Sequence, residues 1–201
     1  MRNHLRLFTV LASSVLLLPA RAQQMDLKPS PPRVPELAVS YDAIASNAPA
    51  GQCGCFFLNG GSVTAAVPIP LDRLSVVGQL SATYARNIGT PQDTLTLLTY
   101  TFGLRYTPPI HSTHISVFAQ GLIGGSHASG SLVAGTNPGK DNASISLAGS
   151  VGAGLDLRWK RALSIRLIDV DYQPTTVDNR TTALQNNYRI SAGVVLHLPT
   201  R

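Results

Sequence analysis

The sequence has few charged side chains and only two cysteines. Asp, Glu, Lys and Arg make up 13% of its 201 residues, against about 25% in typical soluble domains. The formal net charge is +6, but the basic residues are scattered rather than clustered, which argues against a nucleic-acid partner. Two cysteines supply too few ligands for a metal site. We therefore expect no nucleic acid, no metal, no cofactor and no catalytic site.

Long apolar runs and helical periodicity are also missing. No stretch after the first residues has the ~20 unbroken apolar residues of a transmembrane helix. No long segment keeps apolar residues at a spacing of about 3.6. These two absences exclude a helical membrane protein and a helical domain.

The first 22 residues are predicted to be a signal peptide. Arg2 and Arg6 form a positive region, residues 5–18 are mostly apolar, and Ala20-Arg21-Ala22 is a cleavage site with small residues at both ends. No cysteine follows Ala22 directly, so a lipid anchor is not expected. Residues 23–35 contain four prolines and are predicted to be an extended linker.

From residue 36 to residue 198 the chain alternates between apolar and polar side chains. In the last segment Tyr188, Ile190 and Val194 share one face, while Arg189 and Ser191 share the other. A period of two over ~10 residues is typical of a tilted membrane strand. We predict eight strands, at residues 36–44, 61–68, 73–85, 95–107, 113–126, 144–158, 163–173 and 186–198.

The seventh strand changes phase along its length. Leu163, Ile165 and Leu167 occupy one face, but Val170 and Tyr172 continue that apolar face with a spacing one residue out of step. One additional residue would restore the pattern, so we predict a β-bulge near Ile168.

The predicted connections alternate between short and long. The connections at residues 69–72, 108–112 and 159–162 are short, while those at residues 45–60, 86–94, 127–143 and 174–185 are longer. This asymmetry is typical of outer-membrane barrels, which have short periplasmic turns and longer external loops.

The composition of the two faces indicates which one points inward. The polar faces are rich in Ser, Thr, Gly and Ala, which suit the narrow interior of an eight-stranded barrel. An open sheet edge is excluded in hydrocarbon, so the first strand must pair with the eighth. We predict an all-β fold over residues 36–198, an eight-stranded antiparallel up-and-down transmembrane β-barrel. The alternative is a secreted, soluble, lipocalin-like barrel whose apolar faces enclose a small apolar molecule.

Charged residues within the strands mostly occupy the polar face. A charge on the lipid face costs about 2–4 kcal/mol for Arg at mid-depth, so we expect these residues to pair inside the barrel and fill it. Asp42, Asp171 and Arg189 should cluster near the outer end, and Glu36, Arg105, Asp156 and Arg166 should lie nearer the periplasmic end. The predicted charge network consists of Glu36, Asp42, Arg105, Asp156, Arg166, Asp169, Asp171 and Arg189.

Aromatic residues lie at both ends of the predicted strands. Rings with one polar atom at the two rims are typical of the interfacial belts of membrane barrels. The predicted outer belt consists of Tyr41, Tyr84, Tyr172 and Tyr188, and the inner belt of Tyr106 and Trp159.

Two short motifs have a chemical interpretation. Cys53 and Cys55 lie in a predicted external loop, where an oxidising compartment would allow them to form a disulfide, although a ring closed across one residue is tight. His127 and Ser129 have the spacing used by small outer-membrane barrels that deacylate lipid A, but no carboxylate completes the set. A polar loop edge is the preferred interpretation of that pair.

The chain resembles small bacterial outer-membrane β-barrel proteins of the OmpA/OmpX type over about residues 36–198. Residues 53–62 are similar to a first-loop motif of uncharacterised outer-membrane β-barrel domain proteins, and residues 169–172 and 187–193 to their last two strands. Residues 193–198 are similar to the signal read by the barrel-assembly machinery, although Leu198 replaces the usual aromatic residue. The resemblance implies an outer-membrane location and a non-enzymatic structural or surface role. The implied partners are membrane lipid, lipopolysaccharide, the assembly machinery and an unidentified partner at the external loops.

Overall fold

The computed structural model describes residues 34–47, 55–88, 93–110, 112, 114–131, 133, 142–178 and 184–198. The predicted signal peptide, residues 1–22, and nearly all of the predicted linker lie outside these residues. Both therefore stay predictions.

The described residues form one closed antiparallel barrel of eight strands. Each strand pairs with the next one along the chain, and the first pairs with the last, so the sheet has no free edge. The strands are β1 (Glu36–Asn47), β2 (Cys55–Pro68), β3 (Leu74–Ile88), β4 (Asp93–Tyr106), β5 (Ile115–Gly130), β6 (Asn142–Lys160), β7 (Leu163–Thr175) and β8 (Gln185–His197). The predicted up-and-down fold is confirmed. Within the described ranges, no helix is long and apolar enough to cross a membrane.

The barrel is apolar outside and polar inside. Leu147 and Val151 on β6 are each 59% exposed, and Ile190 and Val194 on β8 are 52% and 45% exposed. The alternate residues of the same strands, such as Ser150, face the interior and are buried. The apolar faces therefore point away from the barrel axis, as predicted.

The predicted bulge lies in β7, at Leu167 and Ile168. Arg166 is paired with Gly193 of β8, but the next pair joins Asp169 to Ser191, so two residues of β7 oppose one residue of β8. Both Leu167 and Ile168 are exposed. The extra residue brings the even-numbered Arg166 and the odd-numbered Asp169 to the same interior side.

Most strands are longer than predicted at the end of the barrel opposite Glu36 and His197, here called the loop end. The prediction that β2 begins at residue 61 is wrong, because Phe56 to Asn59 pair with Ala43 to Ser46 of β1. Gly60 is part of the strand rather than of a loop. A Cβ atom there would collide with the carbonyl oxygen of Ala82 on β3, so glycine permits the close approach of the two strands.

The length asymmetry of the connections is weaker than predicted. Strand extension leaves only residues 89–92 between β3 and β4, whereas residues 107–114 separate β4 from β5 at the opposite end. That opposite end, which carries Glu36 and His197, is here called the terminal end. The contrast remains for the connections β5–β6 and β6–β7, which span residues 131–141 and 161–162.

The bulge predicts the effect of a single deletion. Removing Leu167 would put either Arg166 or the pair Asp169 and Asp171 on the apolar outer face, where a mid-depth charge costs up to about 2–4 kcal/mol. We expect the deletion variant not to fold into lipid vesicles, as measured by the mobility shift of folded barrel in unheated gels. Leu167→Ala, which keeps the register, should fold; folding of both to the same extent would contradict this account of the bulge.

Candidate functional site

The centre of the interior contains an ion pair between β7 and β8. Arg189 Nε donates to Asp171 Oδ2 at 3.1 Å, and its Nη2 contacts the same oxygen. Asp169 Oδ2 lies 3.9 Å from Arg189 Nη2 and 3.7 Å from Arg166 Nη1. Arg189 and Arg166 are 0% and 1% exposed. Asp169 therefore bridges two buried guanidinium groups, an arrangement that depends on the bulge.

Towards the terminal end, two arginines pack against one aromatic ring. Arg166 donates to both carboxylate oxygens of Asp156, at 2.9 and 3.2 Å. The ring centroid of Phe118 lies 4.6 Å from the guanidinium carbon of Arg166 and 4.1 Å from that of Arg105. Gly154 makes room for this ring, because a Cβ atom there would collide with it. Phe118 was not predicted to belong to this network, although it shares the interior phase of β5 with Gln120.

A glutamine joins the two groups of charges. Arg105 donates from Nε and Nη2 to Gln120 Oε1 at 3.2 and 2.9 Å, and Gln120 Nε2 donates to Asp171 Oδ1 at 3.1 Å. The Ser150 hydroxyl donates to the same Asp171 oxygen at 3.1 Å. Hydrogen bonds and ion pairs therefore join the two groups that were expected at different depths. Seven of the eight predicted residues form one connected network, because Gln120 and Asp169 span the gap.

Asp42 is the exception among the predicted residues. Its carboxylate accepts hydrogen bonds from the Ser62 and Ser81 hydroxyls, each at 2.9 Å. It lies beside Ser191 in the β1–β8 register, but small hydroxyl groups rather than an arginine hold it. Asp42 was expected to cluster with Asp171 and Arg189, but among the described residues the ion pairs of Arg189 are with Asp169 and Asp171.

At the terminal end the network continues through a histidine. Glu36 lies 3.6 Å from Arg105 Nη1 and 3.4 Å from His197 Nδ1. His197 Nε2 lies 2.7 Å from the Ser164 hydroxyl oxygen. These contacts join the first residue of β1, the last residue of β8 and the start of β7. His197 was not predicted, although its alternation with Leu196 and Leu198 places it on the inner face.

At the loop end part of the interior is apolar, which was not predicted. A cluster of buried side chains lies there beyond the charged layer. Its members come from β1 to β5 and from the residues that follow β5 and β7, and three of them, Leu58, Ile88 and Ala128, lie beyond the predicted ends of their strands. The cluster consists of Ile44, Leu58, Ala85, Ile88, Leu95, Leu97, Ala128, Val133 and Val177.

The six predicted belt aromatics all point outward. Five are exposed, and Tyr172 is half-buried with its ring centroid 5.4 Å from that of Tyr188. The Tyr41 and Tyr172 hydroxyls donate to side chains of Asn59 and Asn186 at 2.9 and 2.6 Å. Contrary to expectation, Tyr41 lies well inside its strand, because β1 continues to Asn47. The contact of the belts with the membrane interface stays a prediction.

The other predicted motifs gain no chemical support. Cys53 lies outside the described residues and the side chain of Cys55 is not described, so their disulfide stays a prediction. His127 and Ser129 lie on the outer phase of β5, opposite Leu98 and Thr96 of β4. Among the described residues, no group of three or more His, Cys, Asp or Glu side chains is arranged to hold a metal ion.

Buried pairs of this kind are sensitive to the loss of one partner. Replacing Arg189 by Met would leave Asp171 and Asp169 without their shared cation, and breaking a buried pair costs about 3–5 kcal/mol. We expect Arg189→Met to lower the free energy of unfolding by that amount, measured by urea unfolding in lipid vesicles. Arg189→Met combined with Asp171→Asn should recover part of the loss.

Arg158 offers a control for this measurement, because it is exposed at the terminal end. Exposed charges contribute about 0–1 kcal/mol, so Arg158→Met should leave the free energy of unfolding nearly unchanged. Equal effects of Arg158→Met and Arg189→Met would show that the buried pair contributes no more to the free energy of unfolding than an exposed charge does.

Comparison with known proteins identifies the fold. Neither protein-family profiles nor curated protein sequences give a match. Among solved structures, the barrel is similar to Neisserial surface protein A, with a TM-score of 0.61 at 14% identity over 82% of this chain and 97% of that one. It is also similar to Ail, the attachment invasion locus protein of Yersinia pestis, with a TM-score of 0.54 at 14% identity over 83% and 100%. The chain therefore has the fold of the small eight-stranded outer-membrane barrels.

Proposed function

We propose that the protein resides in the bacterial outer membrane as a closed barrel that acts through its loop end. The observation that carries this proposal is the inverted distribution of side chains. Charged groups such as Arg189 and Asp171 are fully buried inside, whereas the large apolar residues form the exposed surface. A contiguous apolar exterior of this kind is typical of a protein whose solvent is lipid.

The closed hydrogen-bonded ring supports the same location. In hydrocarbon each unpaired backbone group costs several kcal/mol, and closure removes every free edge. The soluble, lipocalin-like alternative would need the apolar faces around the axis. Leu147, Val151, Ile190 and Val194 point outward instead, so this alternative lacks its main requirement.

Side-chain packing supports a closed interior rather than a pore. The connected charge network occupies the middle, Phe118 fills the space between Arg105 and Arg166, and the apolar cluster occupies the loop end. An eight-stranded barrel has room for its own side chains and little else. We infer that the network closes the lumen and that the barrel conducts no ions.

The surface role is inferred from the loop end and from the neighbours. One structure of Ail, with a TM-score of 0.52 at 15% identity, is a complex with the heparin analogue sucrose octasulfate. We propose that the loop end of this chain faces the exterior and contacts a partner there. Lipid and lipopolysaccharide would contact the aromatic belts, and the barrel-assembly machinery would bind β8. No observation favours an enzymatic role for His127 and Ser129, since no carboxylate is paired with them among the described residues.

Location and orientation can be tested together. We expect the full chain to fractionate with outer membranes and to migrate faster before heating than after heating. An epitope inserted between β5 and β6, at residue 137, should be labelled on intact cells, because that connection lies at the loop end. The same epitope inserted at residue 110, at the terminal end, should be labelled only after permeabilisation.

A soluble periplasmic protein, or labelling of both insertions alike, would overturn this proposal. Recovery of each epitope variant as a heat-modifiable species serves as the control for folding.

The closed lumen predicts the outcome of bilayer recordings. The natural chain should give no conductance steps above those of the bare bilayer. Phe118→Ala should produce ion leak, because it removes the ring that separates Arg105 from Arg166. The matched control is Phe102→Ala, which removes an outward-facing ring of β4 and should give no conductance steps. Steady conductance by the natural chain, unchanged by Phe118→Ala, would disprove the closed interior.

A further inference from the structure

Where β6 meets β7, at the terminal end, the chain carries a cluster of positive charge that the proposed surface role does not use. Arg158, Lys160 and Arg161 surround Trp159 there, and residues 158–161 are here called the basic turn. All four side chains are exposed, Trp159 by 66%. The basic residues of the chain as a whole are scattered, but these three lie together at one point of the rim.

The charges of the basic turn are not balanced by carboxylates of the chain. Among the described residues, no ion pair involves Arg158, Lys160 or Arg161. The connection between β2 and β3 at the same end differs, because Arg73 Nε donates to Asp72 Oδ2 at 3.2 Å and the two charges cancel. The positive charge of the basic turn is therefore available to an anion outside the described part of the chain.

The basic turn is continuous with the apolar exterior of the barrel. Trp159 shares the outer phase of β6 with Leu147 and Val151, which are exposed. Lys160 Nζ lies 5.7 Å from the centroid of the Trp159 ring, and this cation–π contact holds the ammonium group beside the indole. Tryptophan is typical of the level where lipid tails meet headgroups. The cations of the basic turn therefore lie at the depth of the headgroups.

We propose that the basic turn binds anionic phospholipid headgroups in the leaflet that surrounds the terminal end. The three cations contact the phosphates of lipids with a net negative charge, and Trp159 contacts the upper part of their acyl chains. Lysine and arginine near a membrane surface attract anionic lipids, and zwitterionic lipids do not provide this attraction. The inference goes beyond the proposed surface role, and it requires a membrane around the barrel but no particular orientation.

Trp159 is the only tryptophan of the chain, so its fluorescence reports on the lipids beside the basic turn. The folded full chain is placed in vesicles with equal amounts of phosphatidylcholine and phosphatidylglycerol, and one of the two lipids carries bromine atoms, which quench tryptophan. Both leaflets have the same composition, so the orientation of the barrel does not affect the result. We expect brominated phosphatidylglycerol to quench more than brominated phosphatidylcholine. High salt should reduce the difference, because it screens exposed charges.

Substitution of the cations measures what each contributes to the preference. Each of the variants Arg158→Gln, Lys160→Gln and Arg161→Gln should lower the affinity for phosphatidylglycerol, relative to phosphatidylcholine, about two- to fivefold. The triple variant should have no preference. The matched control is Arg86→Gln, which removes an exposed cation that lies over the Tyr84 ring at the loop end. It should leave the preference unchanged.

Two outcomes would overturn the proposal. Equal quenching of the natural chain by the two brominated lipids would show that the basic turn selects no headgroup. An equal loss of preference in Arg86→Gln and in the triple variant would show a general effect of net charge. The mobility of each variant before and after heating shows whether the barrel is folded, and epitope labelling tests the proposed orientation separately. A folded and correctly oriented barrel without lipid preference would therefore contradict this inference alone.

Discussion

The structure depends on the alternation of side chains between the two faces of each strand. Successive side chains of a strand point to opposite faces, so a single residue inserted or removed reverses the faces of everything that follows. In β7 the bulge at Leu167 and Ile168 uses this property. It places Arg166, at an even-numbered position, and Asp169, at an odd-numbered position, on the same interior side of the sheet. Without that step, the central ion pairs and the apolar exterior could not coexist.

The ion pairs in turn explain why the strands around them have a single register. Each buried guanidinium group contacts at least one carboxylate, and Asp169 is shared between Arg166 and Arg189. Removing a charge from water is expensive, and only well-placed partners offset that cost. The network therefore stabilises one register between β6, β7 and β8, because a slip by one residue would leave charges without partners.

The sequence predicts the fold well wherever the inside and the outside of the barrel differ. Over the middle of the barrel the interior is polar and the exterior apolar, so alternation identified all eight strands, their phase and the bulge. In the loop-end part of β2 both faces are apolar: Phe57 points outward, and Leu58 beside it is buried inside. Apolar and polar residues do not alternate there, so β2 was predicted to begin only at residue 61. For the same reason the apolar cluster was not predicted. Phe118 was missed for another reason, since its importance comes from arginines on β4 and β7, and pairing between distant strands is not visible in a local pattern.

The interior thus changes character along the barrel axis, and this change has a physical consequence. Polar contacts between Glu36, His197 and Ser164 join the first and last strands at one mouth, charges fill the middle, and leucine and valine fill part of the other mouth. The aliphatic cluster excludes water from the side of the loop end that β1 to β5 form, because transfer of apolar side chains into water is unfavourable. On β1, β7 and β8 the polar pattern continues to the loop end through Ser46, Thr175 and Asn187. Side-chain packing therefore fills the interior by a different chemistry at each level, and it does not depend on the charged layer alone.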